Sequence, residues 1–488
     1  MPAKQKRKNG RSPRPIAILT LFLAVFLTAC VFIFLINALA NKNSKRPENP
    51  QKNEAPTEEK ETLQTSEDPL PETKKEAPKV ISTATIGNSG DVLIHNTVLK
   101  ASLNKETGKY DFNRSFELLK PYVSASDYAV VNAEFSVSVD NTYSALPFRV
   151  PSTIVEALKN CGYDMGLCAN NHIADGGIPG IQKTMATLEE YGMDFTGSRK
   201  ESADKRYFIK EIDGIQIGML NYSYSSAWNT NSFSSSNLNT LYQDAEVLIK
   251  KMREEGAELI YLYIHWGEEY SLTPNETQEA IAQKMCDLGV DVIVGGHPHK
   301  IQPLELIESQ DKTHKTICLY SFGNLFSGQQ IEHMAGGTKE NSPHCYQDSW
   351  HFPGCDWPDV DDRTTDEHRL EHGPTCNDNG HTEDGLFFTV TASKYDDGTV
   401  LITGVDILPT WCMGRGLTKR SNPVDSSFDE YTVIPLDKSK DWIKEYGLSE
   451  FEKTEAEYSY NRTMALVGEG LKTINASCKA EVENFLNP

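Results

Sequence analysis

Five polar motifs in this chain each sit where an apolar run ends. They are Gly90-Asp91 beyond Ile81–Ile86, Asn132-Ala133-Glu134 beyond Tyr128–Val131, Asn170-Asn171-His172 beyond Met165–Ala169, His265-Trp266-Gly267-Glu268 beyond Leu259–Ile264, and Gly296-His297-Pro298-His299 beyond Val290–Val294. Short apolar runs bounded by turn-forming residues are the pattern of buried strands. Open α/β sheets collect ligands and catalytic groups beyond the carboxyl ends of their strands. Five such ends bring Asp, Glu, Asn and His side chains into one cleft. That mixture of nitrogen and oxygen donors suits a divalent transition metal. The expectation is a metal-binding α/β domain, a hydrolase or a descendant of one.

Between the motifs the apolar periodicity changes to that of helices, at Ser152–Cys161, Ile178–Tyr191, Leu238–Glu255 and Glu276–Leu288. Strands alternating with helices predict βαβ units and a largely parallel sheet. Asp213-Gly214 between Phe208–Ile212 and Gln216–Tyr222 predicts a hairpin. Further strands are expected at Thr316–Ser321, Gly385–Ala392 and Val400–Ile407. Residues 330–382 break this rhythm. They are rich in Gly, Pro, Asp, His and Cys and lack apolar periodicity, so they are expected as an irregular insertion. Residues 436–488 are expected as a polar helical tail to the domain spanning 80–435.

The other end of the chain constrains location. Ile16 to Ala40 carry no charge, and as a helix they span about 37 Å, enough to cross a bilayer with some tilt. Lys4, Lys6, Arg7, Lys8, Arg11 and Arg14 precede them, so residues 1–15 are expected in the cytoplasm and everything after the span outside. An uncleaved single-pass anchor is the favoured expectation. A cleaved signal ending at Ala38-Leu39-Ala40 and a lipoprotein box at Leu27-Thr28-Ala29-Cys30 are the alternatives. Residues 41–79 are rich in Lys, Glu, Pro and Thr, and such a composition predicts a flexible tether. A net charge of −21 disfavours nucleic acid as a partner, because phosphate binding needs a basic surface. None of the ten cysteines forms a CxxC pair, which disfavours a zinc knuckle. Cys345, Cys355, Cys376 and Cys412 are candidates for disulfides; Cys161, Cys168, Cys286 and Cys318 are expected as buried thiols.

Taken singly, each motif has an ordinary explanation. Asp91 serves as a turn residue, His172 as part of a strand-to-helix turn, and His265 as a satisfied core histidine. Glu134 fits such an explanation less well, since a carboxylate is seldom buried without a partner. His297 and His299 would face opposite ways on an extended strand, but Pro298 between them interrupts that geometry and lets both imidazoles approach one ion. Recurrence of the pattern at five strand ends favours a shared site. Arg149, in Pro147-Phe148-Arg149-Val150-Pro151, is a candidate anion contact whose alternative is a surface loop charge.

Together these motifs resemble the CapA family of capsule-synthesis proteins associated with poly-γ-glutamate. The resemblance rests on Gly90-Asp91 with His95, Asn132-Ala133-Glu134, Ala169-Asn170-Asn171-His172 with Asp175, His265-Trp266-Gly267-Glu268-Glu269-Tyr270, Gly296-His297-Pro298-His299 and Tyr320-Ser321-Phe322-Gly323-Asn324. It covers about residues 83–412. The family's domain is similar to the calcineurin-like metallophosphatases, which implies a layered α/β sandwich and one or two divalent ions (Mn, Zn or Fe). By that likeness Asp91 and His299 bind a first metal, and Asn171, His265 and His297 a second. Glu134 bridges them, where the phosphatases use Asp. His172 lies near the leaving group, and His172, His95 and Asn171 are the candidate catalytic groups. The phosphatases place His two residues after the first Asp. Here Leu93 stands there, and His95 is the nearest substitute. Two functions follow as expectations. One is a surface-tethered metal-dependent hydrolase or transferase of capsule or cell-envelope polymer synthesis. The other is a non-catalytic subunit that binds an anionic polymer such as poly-γ-glutamate or membrane-embedded capsule synthase subunits, its metal structural.

Overall fold

The computed structural model describes residues 77–329, 381–415 and 430–487. The expected anchor at 16–40, most of the tether, the insertion as far as residue 380, and Cys345, Cys355 and Cys376 lie outside the described residues. Among the described residues no helix is long and apolar enough to cross a membrane.

In chain order the strands are β1 (Val80–Leu93), β2 (Leu103–Asn104), β3 (Lys109–Tyr110), β4 (Tyr128–Asn132), β5 (Ser136–Val137), β6 (Arg149–Val150), β7 (Met165–Leu167), β8 (Asp194–Thr196), β9 (Phe208–Ile212), β10 (Ile215–Ser223), β11 (Leu259–His265), β12 (Val292–Gly296), β13 (Ile301–Glu308), β14 (Lys315–Phe322), β15 (Asn324–Ser327), β16 (Asp384–Tyr395), β17 (Val400–Arg415) and β18 (Glu430–Pro435). The four expected helices form at Thr153–Cys161, Gly177–Glu190, Leu238–Glu254 and Glu276–Asp287. The Asp213-Gly214 hairpin forms with both residues at positive φ, 44° and 76°, as a two-residue turn between twisted strands requires.

The largely parallel sheet expected from the strand–helix alternation is instead two mixed sheets. The first runs β18-β17-β16-β1-β4-β7-β8, with β15 beside β1; the second runs β13-β14-β12-β11-β10-β9. In the first sheet, β1, β4, β7 and β8 are parallel, whereas β16, β17 and β18 add antiparallel to β1 and to one another. In the second, β10, β11, β12 and β14 are parallel, with β9 and β13 as antiparallel edges. Part of the reason is local. Only parallel neighbours need a crossover, and strands joined by short turns, such as β16 and β17, pair antiparallel.

Strand side chains alternate between two cores. Leu259, Tyr261 and Tyr263 of β11 face the core between the sheets, with Ile86, Val130 and Met165 of the first sheet. Ile260, Leu262 and Ile264 face the opposite way, onto the helices Leu238–Glu254 and Glu276–Asp287. Val131 and Ala129 of β4 likewise face Leu158 and Leu188 of the helices that cover the first sheet. A strand buried on both faces reads as a continuous apolar run, and so these strands were legible. Cys161, Cys168, Cys286 and Cys318 are buried free thiols, and so is Cys412.

The stretch after Pro435 is helical and belongs to this core. Ser449 and Glu452 cap the 37-residue helix Glu450–Leu486 reciprocally. It lies against β13 of the second sheet and β17 of the first. Val467, Ile474 and Cys478 enter the core between the sheets, with Met464 and Leu471 packed beside them. These residues recur at spacings of three and four, which is one helix face.

Candidate metal centre

The motifs converge because both sheets direct the carboxyl ends of their central parallel strands to one place. β1 reaches it through close contact: a Cβ on Gly90 would lie 2.1 Å from the Gly323 carbonyl oxygen. The next amide, Asp91 N, donates to that oxygen at 3.0 Å. The pairing of β1 with β4 slips between Ser89 and Asp91, and with β15 between Asp91 and Val92. Such irregularities re-aim a side chain. Asn132 ends β4 with Glu134 just beyond it, and His265 ends β11. After β12 the backbone turns left-handed at His297 (φ 95°) and again at His299 (φ 55°). This double turn, flanking Pro298, points both imidazoles into the cluster.

Among the described residues, three sets of side chains have ligand atoms within 4.8 Å of one another: Asp91, Glu134 and His299; Glu134, His265 and His297; and Glu269, His297 and His299. Glu134 is common to the first two. Its Oε1 lies 3.3 Å from His265 Nε2 and 3.9 Å from His299 Nε2. His265 Nε2 is also 2.8 Å from Asn171 Oδ1. Asp91 Oδ1 accepts from Asn132 Nδ2 at 2.7 Å. Asp91 Oδ2 accepts from the His297 amide at 3.2 Å and lies 3.2 Å from His299 Nδ1.

The donor set fits divalent cations. Glu134 is fully buried, yet neither of its oxygens has a hydrogen-bond partner, and buried His297 Nδ1 has none either. Buried polar atoms are normally paired, and an uncompensated buried carboxylate is costly. Burial and the charge of Asp91 push the Glu134 carboxyl well above its ordinary value. Burial acts in the same sense on Asp91, but hydrogen bonding and charge from His299, with His265 and Asn132, outweigh it and hold Asp91 below its usual range. Burial, opposed by Asp91, lowers His265 to about 4. Burial also holds His297 well below its ordinary value, helped by His265 and His299. On His299 burial is overcome by Glu134 and Asp91, raising it to about 9. Two carboxylates thus face three imidazoles, and the cluster atoms left without a hydrogen-bond partner, both Glu134 oxygens and His297 Nδ1, are of the kind that ligate metals.

The remaining candidates lie outside the three ligand sets. His172 Nδ1 is 2.9 Å from Asp175 Oδ2, which also accepts from the Phe148 amide. The Phe148 ring stands edge-on between His172, at 4.7 Å, and His95, at 4.9 Å. His95 is the N-cap of the helix Asn96–Ser102 rather than part of β1, and it joins none of the three ligand sets. Leu93, in the position of the phosphatase histidine, is buried in the core. Arg149 lies in β6, where its Nε contacts Ser144 Oγ at 3.4 Å, and its backbone pairs with the same residue.

Three further residues belong to the site. Glu269 completes the third ligand set. Tyr224 packs over His297 at 4.6 Å and parallel to His265 at 6.3 Å. Its hydroxyl is pushed up to about 12 by burial and by Glu269 and Glu134. Asn324 Oδ1 lies 3.1 Å from His299 Nδ1. Glu269 and Asn324 stand inside recognised motifs, which was a signal for both. Nothing around Tyr224 in the sequence marks it.

Fold and site define a layered α/β protein with a buried cluster of Asp, Glu and His suited to cations. The family described as bacterial capsule synthesis protein PGA_cap matches residues 85–329, half of the chain, and the chain belongs to that family. It is similar to the PGA biosynthesis protein CapA of Bacillus subtilis (strain 168), 27% identical over 274 residues, which are 52% of this chain and 67% of that one. The capsule biosynthesis protein CapA of Bacillus anthracis is 26% identical over 49% of this chain and 59% of its own length. Among solved structures, a hypothetical protein from Thermus thermophilus aligns with a TM-score of 0.36 and 13% identity, covering 67% of this chain and 98% of that one.

Proposed function

We propose that this chain is a membrane-anchored, extracellular protein of poly-γ-glutamate capsule or cell-envelope polymer biosynthesis or export, with a metal-dependent hydrolase-type site of the metallophosphatase kind. The observation that carries the site is Glu134: buried, shared by two ligand sets, and without a hydrogen-bond partner at either oxygen. Asp91, Glu134 and His299 would hold one cation, and Glu134, His265 and His297, with Asn171, a second. Cations held there supply Lewis acidity and make water a better nucleophile. The chain's own groups supply the rest. Asp175 fixes His172 through Nδ1, which leaves Nε2 to exchange a proton with a leaving group. Tyr224 walls the histidine side of the site and orients what enters. Asp91 and Glu134 carry the negative charge that a cation must neutralise before an anionic polymer can approach. Arg149 is kept as an anion contact outside the cluster. The partners on this reading are the polymer and membrane-embedded synthase subunits.

Elemental analysis of the purified protein, paired with incubation of poly-γ-glutamate with and without chelator, tests the reading. Bound Mn, Zn or Fe and chelator-sensitive shortening of the polymer are expected. Bound metal with intact polymer would favour the polymer-binding subunit, and no metal would end both readings. For the anchor, protease added to intact cells should remove the domain beyond residue 79. Protection until lysis would refute that topology.

A further inference from the structure

The three ligand sets do not explain why His299 presents one particular nitrogen. Nδ1 of His299 lies 3.1 Å from Asn324 Oδ1 and 3.2 Å from Asp91 Oδ2. Both are acceptors, but an amide can be turned to offer its NH₂ instead, so the orientation of Asn324 decides the matter. That orientation is fixed on its other side. Asn324 Nδ2 donates to Gln329 Oε1 at 3.0 Å and to the Thr382 carbonyl oxygen at 2.8 Å. Both amide hydrogens are therefore used, and turning the group would set its oxygen against the Thr382 carbonyl. With Oδ1 facing the imidazole, His299 must carry its proton on Nδ1, and its lone pair lies on Nε2, the atom nearest Glu134.

The Thr382 carbonyl is held in turn. Thr382, Glu383 and Asp384 are buried. Asp384 accepts from Arg462 through Nε and Nη2, both at 2.8 Å, and from Ser459 Oγ at 2.6 Å. Arg462 Nη2 also stands 3.5 Å from Glu383 Oε1. Arg462 and Ser459 belong to the helix Glu450–Leu486, beyond the family match at 85–329. A two-pronged guanidinium–carboxylate pair fixes direction as well as distance.

We propose that Asn324 is a positioning residue that makes Nε2 the cation-binding nitrogen of His299, and that Arg462 of the C-terminal helix, through Asp384, holds the carbonyl that orients Asn324. The inference rests on the metal-centre reading above. Hydrogen-bond partners behind a ligating histidine fix its tautomer and tune its affinity, and their loss costs about 10–100-fold in metal binding.

The test uses the full chain in detergent, zinc ions as the probe, and ¹⁵N-histidine labelling, with the His299 signal assigned by its loss in His299→Gln. The zinc-loaded parent should show the proton of His299 on Nδ1. A proton on Nε2 would overturn the proposal without any Asn324 variant being needed. Asn324→Leu should weaken zinc binding by about 10–100-fold, while Arg462→Lys, which keeps the charge but not the fork, should weaken it by less than about 10-fold. Folded Asn324→Leu that binds zinc as the parent does would also overturn the proposal and leave the metal centre standing. Failure of the parent to bind zinc would bring down the metal-centre reading itself, a result visible before any variant is made.

Discussion

The residues between 85 and 329 and those between 381 and 487 contribute to the molecule in opposite ways. The first region supplies every side chain of the three ligand sets. The second supplies none, yet it provides β16, the antiparallel neighbour of β1, and a helix that enters the core between the sheets. Chemistry comes from short motifs at strand ends, and support comes from a region with no motif at all. The comparison teaches that a family match confined to the ligand-bearing half understates the folding unit.

The sharpest way to break that contrast is to end the chain at Leu448. Val467 and Ile474, both fully buried, would leave their places open. Loss of soluble, cooperatively unfolding protein is expected; a truncated chain with an intact thermal transition and parental metal content would show the second region to be dispensable. Next in size, His297→Ala removes a ligand shared by two sets and should lower metal affinity by more than about 100-fold, beyond what loss of an outer hydrogen bond costs. His314→Ala is the control: its Nε2 bonds the Val290 carbonyl at 2.8 Å, away from the cluster, so metal content after dialysis should match the parent.

A smaller effect tests the helix by sign. Gly→Ala inside a helix normally stabilises by about 1 kcal/mol. At Gly468 a Cβ would meet only the flexible end of Met464 at 3.4 Å, so Gly468→Ala should raise the melting temperature. At Gly470 it would lie 1.8 Å from the Leu304 carbonyl oxygen of β13, so Gly470→Ala should lower it. Equal shifts in calorimetry would mean that the helix does not rest on β13. The smallest effect is expected from replacing 330–380 with a short Gly/Ser loop while keeping Gln329 and Thr382. Cooperative unfolding should survive, and its loss would show that the segment contributes to the core.

Legibility followed the same division. The central strands were readable because burial on both faces makes them continuous apolar runs. Asp91, Glu134, His265, His297 and His299 were readable because each lies at or just past such a run. Glu269 was not read as a ligand, since it follows the strand by four residues and reaches the histidines through a left-handed turn at Gly267. Periodicity carries no information about such a turn. The mixed character of the sheets was lost for a related reason: alternating strands and helices reveal crossovers, while the antiparallel partner of β1 comes from some 300 residues away in the chain. The helix Glu450–Leu486 was read as polar, although the stripe from Met464 to Cys478 was present in its sequence. Its long polar face outweighs the stripe in any average along the chain.

The left-handed backbone at His297 and His299 sets chelation against comfort. Side chains with a Cβ occupy that region at a cost of about 1–2 kcal/mol, which glycine escapes. His297→Gly and His297→Ala both discard the imidazole, but only glycine relaxes the turn, so the glycine variant should be the more stable of the two by about 1 kcal/mol in metal-free buffer. Without cations the centre is then a compressed spring within an otherwise relaxed fold. Cations that bind only the folded form offset that strain, and stripping them should lower the parent's melting temperature by more than that of the glycine variant, in which Asp91, Glu134 and His299 would still hold one cation.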